Sequence, residues 1–314
     1  SGVIPEEVMD LKRLKSLYFS ATSMNGTLPT RLGELTNLKE LWIDIGFFTG
    51  SIPTQISSLT RLRYLTFQIN LLEGPIPAVS SPKLVGLGLS DNLLTGTLPE
   101  SLAALSNLVT VTFGTNMLTG VVPDGLFSRS NHPFLTVVSL AYNSLGGTIP
   151  SGLVTHLRLT GLSLSSNDFE GSLPETWGSL LSMETLMLGH LKNINSTIPS
   201  RLGGMIKLRH LSLRHSQLRG TIPSEFHNLR QLSRLWLNNN DLTGTVPAFF
   251  AQFHHLDELH LSHNELMGDL TFLCDMPFHK FVELEADCLD PKKNISCPCC
   301  TKCCDSEGDC HLHS

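Results

Sequence analysis

One tetrad, Gly-x-(Ile/Leu/Val)-Pro, recurs along this chain with its prolines at positions 5, 29, 53, 77, 99, 123, 150, 174, 199, 223 and 247. The intervals are 24, 24, 24, 22, 24, 27, 24, 25, 24 and 24 residues, and only Ser196 replaces the glycine. A period of this size means that each unit is one supersecondary module whose apolar face is buried by its neighbours. A lone unit cannot offset the roughly 1 to 2 kcal/mol per residue of ordering its backbone, so the units must stack.

Each unit also carries an alternating apolar pair, for example Leu17/Phe19, Leu41/Ile43, Leu162/Leu164, Leu235/Leu237 and Leu259/Leu261. Alternation of period two predicts a short strand with one buried face, and eleven such strands are expected to lie parallel. The tetrad after each strand should end it, because Gly permits unusual backbone angles and Pro fixes φ and removes a donor. Asn70, Asn92, Asn116, Asn143, Asn167, Asn240 and Asn264 share one slot, where a buried amide can satisfy backbone groups at the turn. Thr22 and Ser216 can replace part of that bonding, whereas Gly46 and Leu191 in the same slot cannot, so those two units should be weaker there or hold a water.

The line LxxLxxLxLxxNxLxGxIPxxL, as in LSRLWLNNNDLTGTVP from Leu232 to Pro247, resembles the plant-type leucine-rich repeat over residues 1–273. The resemblance implies an α/β right-handed solenoid, a horseshoe, with a parallel concave β-sheet and short helical or irregular segments on the convex side. The tail, LEADC followed by CPCCTKCC, resembles the Cys-rich cap of secreted leucine-rich repeat proteins from diatom-like algae. Two regions are expected: about eleven repeats over 1–273, the first incomplete, and a disulfide-rich cap over 274–314. The chain opens on Ser-Gly-Val-Ile-Pro, the tail of a repeat, so more chain is expected before it.

The cysteines fix a compartment. None occurs before Cys274, and all eight (Cys274, Cys288, Cys297, Cys299, Cys300, Cys303, Cys304 and Cys310) lie in the last 41 residues. An even number in a small cap over an open apolar end, at Leu270 and Phe272, suits up to four disulfides in an oxidising, extracellular or cell-surface setting. Zinc is the competing reading, because Cys300-x-x-Cys303 has ligand-like spacing and His311 and His313 are near. Adjacent cysteines are poorly placed to pair with each other, and the connectivity is open. Three Asn-x-Ser/Thr sequons, at Asn25, Asn195 and Asn294, are candidate glycosylation sites, the first two in a slot that should face solvent.

Function is constrained by what the residues exclude. The net charge is −6, from 28 acids and 22 bases, which supports neither nucleic acid nor anionic membrane as a general partner. No apolar run is long enough to span a bilayer, and no Gly-x-Ser-x-Gly, His-Glu-x-x-His or Walker motif occurs, so no enzyme and no cofactor are expected. The residues between the strand leucines should face the concave side and be free to vary. At one end they and their neighbours include Arg209, His210, Arg214, His215, Arg234, Trp236, Asn238, His260 and His263, the composition of a binding hot spot. At the other, Tyr18, Trp42 and Tyr64 form a smaller aromatic patch suited to stacking on a sugar or peptide. No metal site is expected among the histidines, since His215 and His263 should stand about 10 Å apart on strands spaced about 4.8 Å. A pH-sensitive surface is the better reading of them. The irregular segments Asp124–Phe134 and His190–Lys192 are further candidates for contact loops.

The expectation is therefore a receptor-like recognition module for a peptide, glycan or protein ligand. The alternatives are an inhibitor of a secreted hydrolase, similar to polygalacturonase-inhibiting proteins, and a structural or adhesive wall protein.

Overall fold

The computed structural model describes residues 2–21, 23–123, 126, 128–150, 156–275, 281–293 and 295–312. Thr22, Asn294, His313 and part of the 124–134 insertion lie outside the described residues. The chain forms two compact units, Ser1–Arg158 and Leu159–Ser314.

In the first unit the inner sheet is parallel, ordered as in the chain: Ser16–Ser20, Glu40–Asp44, Tyr64–Thr66, Gly86–Gly88, Thr110–Thr112 and Val137–Ser139. The first leucine of each pair stacks in register, so that Leu17 faces Leu41, then Leu65, Leu87, Val111 and Val138. In the second unit Gly161–Ser163, Thr185–Met187, His210–Ser212, Arg234–Trp236 and Glu258–His260 repeat the arrangement. The periodic leucines are the core: Leu41, Leu65, Leu186, Leu211, Leu235 and Leu259 are all at most 1 % exposed.

Each proline ends the unit as the sequence implies. Pro29 and Pro223, at φ −64° and −61°, each precede a 3-10 helix, Thr30–Glu34 and Ser224–Asn228, that buries Leu32 and Phe226. The segment before the tetrad is more regular than a simple break. In the first unit Asn25–Thr27, Phe47–Ser51, Leu71–Pro75, Leu93–Gly96, Met117–Val121 and Ser144–Thr148 form a second parallel sheet. The second unit has counterparts, such as Arg219–Gly220, Asp241–Thr245 and Glu265–Met267, which pair in parallel with one another. The tetrad glycine lies in the left-handed region at or within one residue of the end of these strands, with φ +84° at Gly244.

Between the two strands of a repeat the chain turns at a residue of positive φ, such as Ile69 (56°), His215 (52°, with Gln217 at 51° in the same turn) and His263 (55°). The asparagine slot holds this turn. Asn92 Nδ2 donates to the carbonyls of Phe67, Leu89 and Ser90, and its Oδ1 accepts from the Leu72 amide at 3.0 Å. Ser216 fills the slot in part: its hydroxyl donates to Leu188 O at 3.2 Å and accepts from the Leu191 amide.

After the last tetrad the chain adds strands to the inner sheet before it ends. Glu283–Ala286 and Lys302–Cys304 extend it in parallel, and Cys310–Leu312 returns antiparallel. Asp287 extends the asparagine ladder, accepting from the amides of His263 and Asn264. Four disulfides hold this end: Cys274–Cys299, Cys288–Cys303, Cys297–Cys300 and Cys304–Cys310. No adjacent cysteines are paired, no free thiolate remains for zinc, and Leu270 and Leu273 are sealed to 1 % and 2 % exposure, while Phe272 stays partly exposed.

Candidate recognition surface

The inner sheet of the second unit carries most of the charged residues singled out from sequence. Strand register sets their spacing: His210 pairs with Arg234 and then Glu258, while Ser212 pairs with Trp236 and then His260. Alternation places both rows on one face. Trp236 is half-buried among its neighbours, not exposed as its position suggested. The Arg214 guanidinium lies 5.1 Å from its ring centre, and the His260 imidazole stacks on it at 5.8 Å and 24°. Its indole Nε1 donates to Glu258 Oε2 at 3.0 Å, while Glu258 Oε1 accepts from Arg234 at 3.1 Å. Trp236 is thus held by a cation above it, a carboxylate at its edge and an imidazole beside it, a preorganised aromatic anchor.

A second row stands at the positive-φ turns. His190 and His215 stack at 4.2 Å, Asn239 follows, and His263 Nε2 lies 3.2 Å from the carbonyl of Gly308 in the C-terminal hairpin. Burial first, then neighbouring cations, hold His190 and His215 below the ordinary histidine value; Arg214 contributes to both. Burial and Arg234 do the same to His210, which Glu258 partly opposes. Any proton switch in these three works on the acidic side of about pH 6.5. Asn238 is buried, and Arg209 and His210 lie lower on the sheet flank, where with Gln231, Ser233, His254, His255 and Asp257 they line a polar recess of about 660 Å³.

The first unit brings Tyr18, Trp42 and Tyr64 into one row, with ring centres 6.0 and 6.2 Å apart, and Arg63 covers Tyr64. The Tyr18 hydroxyl donates to the Glu40 carboxylate, which raises the tyrosine pKa and lowers that of the glutamate. Both described sequon asparagines, Asn25 and Asn195, are exposed; the third lies outside the described residues.

Sequence reasoning missed Glu283, Glu285 and Lys302, which join the same face as Trp236 and His260. The signal was present: Val282, Leu284 and Ala286 alternate with the glutamates, and Leu284-x-Ala286 is one more copy of the strand pair.

Family models for leucine-rich repeats match residues 206–266 and 158–180. The plant peptide hormone receptor RGFR1, solved in complex with RGF2, is 28% identical, superposes with a TM-score of 0.83, and matches over 91% of this chain and 45% of its own. A TDR receptor is 32% identical, with a TM-score of 0.82, over 94% of this chain and 50% of its own. The chain is a plant-type leucine-rich repeat protein. It spans about half the length of these structures, and 6% of a putative late blight resistance protein homolog from Solanum demissum, to which it is 31% identical over 83 residues. Among the described residues of this leucine-rich repeat chain, no helix is long and apolar enough to cross a membrane.

Proposed function

We propose that this chain is a non-catalytic, extracellular recognition module that binds an extended peptide on the inner sheet of its second unit, centred on Trp236. The observation that supports this reading is the Arg214–Trp236–His260 stack with its Arg234–Glu258 brace: a large ring fixed in place, with donors and acceptors on both sides. A strand-like ligand lying across parallel strands meets alternating columns of side chains, which suits readout of its sequence. The structural relatives include a peptide hormone receptor in complex with its peptide, and four disulfides suit an oxidising compartment.

The test is selection from a displayed peptide library on the immobilised chain, followed by re-binding to Trp236→Ala and Arg214→Ala. Enriched peptides are expected to lose at least tenfold in affinity on Trp236→Ala. Peptides that bind this variant as well as the parent would sink the proposal. A second reading rests on the Tyr18–Trp42–Tyr64 row, whose spacing suits stacking on sugar rings; binding to a glycan array that disappears in Trp42→Ala would favour it.

A further inference from the structure

On the two strands that follow the one carrying Trp236, three side chains converge in a way that recognition of a peptide does not require. A ring nitrogen of His260 and one carboxylate oxygen from each of Glu283 and Glu285 lie within 4.8 Å of one another. Register explains the meeting: His260 stands directly opposite Glu285, and Glu283 is two residues before it on the same face. Glu285 is 8 % exposed, and the His260 side chain 12 %.

The bonding around the three is arranged on their outer sides. Glu283 Oε1 accepts from Lys302 Nζ, and Glu285 Oε1 accepts from the Ser262 hydroxyl. Glu283 Oε2 faces His260 Nε2 at 3.5 Å, beyond the usual hydrogen-bond range, and that nitrogen is buried with no hydrogen-bond partner. Two ligands about 2.0 to 2.1 Å from a tetrahedral zinc ion stand about 3.4 Å apart, close to the 3.5 Å between His260 Nε2 and Glu283 Oε2, and a Glu285 oxygen lies within 4.8 Å of a ligand atom on each of these two residues. With a neutral imidazole, two carboxylates against one ammonium leave a net charge of −1 in a poorly hydrated place, which favours a cation. Trp236 stacks on the imidazole and fixes its plane.

We propose that His260, Glu283 and Glu285 form a binding site for one divalent zinc-like ion, with Ser262 and Lys302 orienting the two carboxylates from behind. Imidazole with carboxylate oxygens is a borderline donor set, suited to zinc and its neighbours more than to calcium. Three protein ligands leave a fourth position open toward the face beside Trp236. The absence of a metal expected among the histidines rested on their spacing; the two glutamates come from the segment read as cap.

The probe is zinc alone, titrated calorimetrically into the chelator-treated chain with its disulfides intact, with X-ray absorption on the loaded protein. One ion per chain is expected, with a nitrogen/oxygen shell that includes one imidazole. His260→Gln and Glu285→Gln should abolish saturable binding, and Ser262→Ala should weaken it about 10- to 100-fold. His215→Gln, which disrupts the separate His190–His215 stack, should leave it unchanged. Failure of the parent chain to bind one equivalent overturns the proposal without any variant having to fold. Sulfur in the shell, or binding that survives His260→Gln and disappears in His215→Gln, overturns it equally. The site does not rest on the peptide reading: zinc can bind when no peptide does, and Trp236→Ala separates the two, because it removes the peptide anchor and leaves all three ligands.

Discussion

The asparagine ladder invites a quantitative test at Asn240, which is 8 % exposed. Its Oδ1 accepts from two amides, Ser216 at 3.1 Å and Leu218 at 3.0 Å, while Nδ2 donates to the carbonyls of Leu213 and Leu237, each at 2.9 Å. Asn240→Leu keeps the branching and heavy-atom count of the side chain and removes every one of these bonds. Two buried N–H groups then lack an acceptor, each costing about 1 to 3 kcal/mol, so local stability falls by about 2 to 6 kcal/mol. A solenoid unfolds approximately as a chain of neighbouring units, so a single melting temperature is a poor reporter and amide hydrogen exchange is the better assay. At about 1.4 kcal/mol per tenfold, exchange through local opening around His210–Ser212 and Arg219–Gly220 should quicken by at least about 30-fold. Exchange in Tyr64–Thr66, far along the chain, should change little. Asn195→Ala, at an exposed asparagine, is the control. If Asn240→Leu exchanges no faster than this control, the ladder is not what holds the turns and the reasoning fails.

Three further outcomes follow from specific contacts. The intact mass should lie about 8 Da below that of the reduced chain, two hydrogens for each of four bridges, and Cys274→Ser with Cys299→Ser should cost about 3 to 4 kcal/mol at the C-terminal end by loss of a 25-residue closure. Gly178→Ala should destabilise by about 1 to 3 kcal/mol or more in urea unfolding, since its added carbon would sit 2.1 Å from the Arg201 carbonyl, whereas Gly2→Ala meets nothing within 4 Å. His132 is fully buried, and its Nδ1 donates to Leu105 O; burial holds its pKa below the ordinary value. Above about pH 6.5 it is neutral in both states and contributes no pH dependence; below that the unfolded chain binds a proton first, so stability falls at up to about 1.4 kcal/mol per pH unit until the folded imidazole is protonated too. His132→Leu should flatten the acid limb of a stability–pH curve, and an unchanged limb would remove His132 as its source.

What was legible in this sequence follows from how locally each feature is determined. Leu-x-Leu pairs are read within three residues, and since every unit packs on a near copy of itself, one correct strand implies the rest; the tetrad proline likewise announces a turn without outside context. The outer strands were less legible. In Asp241–Thr245 the buried side chain is Leu242 alone, and the segment becomes a strand because the neighbouring repeat supplies Glu265–Met267 beside it. Connectivity of the cysteines was not legible at all: pairing Cys274 with Cys299 depends on where two turns meet in space, which spacing does not encode.

The candidate surface divides in the same manner. Column membership of Trp236 and His260 comes from period two, but the half-burial of Trp236 is produced by Arg214 and Glu258, each 22 residues away in a neighbouring repeat. The histidine turns are fixed by backbone geometry that any residue tolerating positive φ can adopt, so their rings gain meaning only from what stacks on them. Glu283 and Glu285 were hidden by a boundary drawn at the first cysteine. Composition changes there, yet the alternation Val282, Leu284, Ala286 continues, and alternation, not cysteine content, decides whether a strand joins the sheet. Where the two signals disagree in a repeat protein, the periodic one carries the physical constraint, because a strand that breaks register would expose the core of the unit before it.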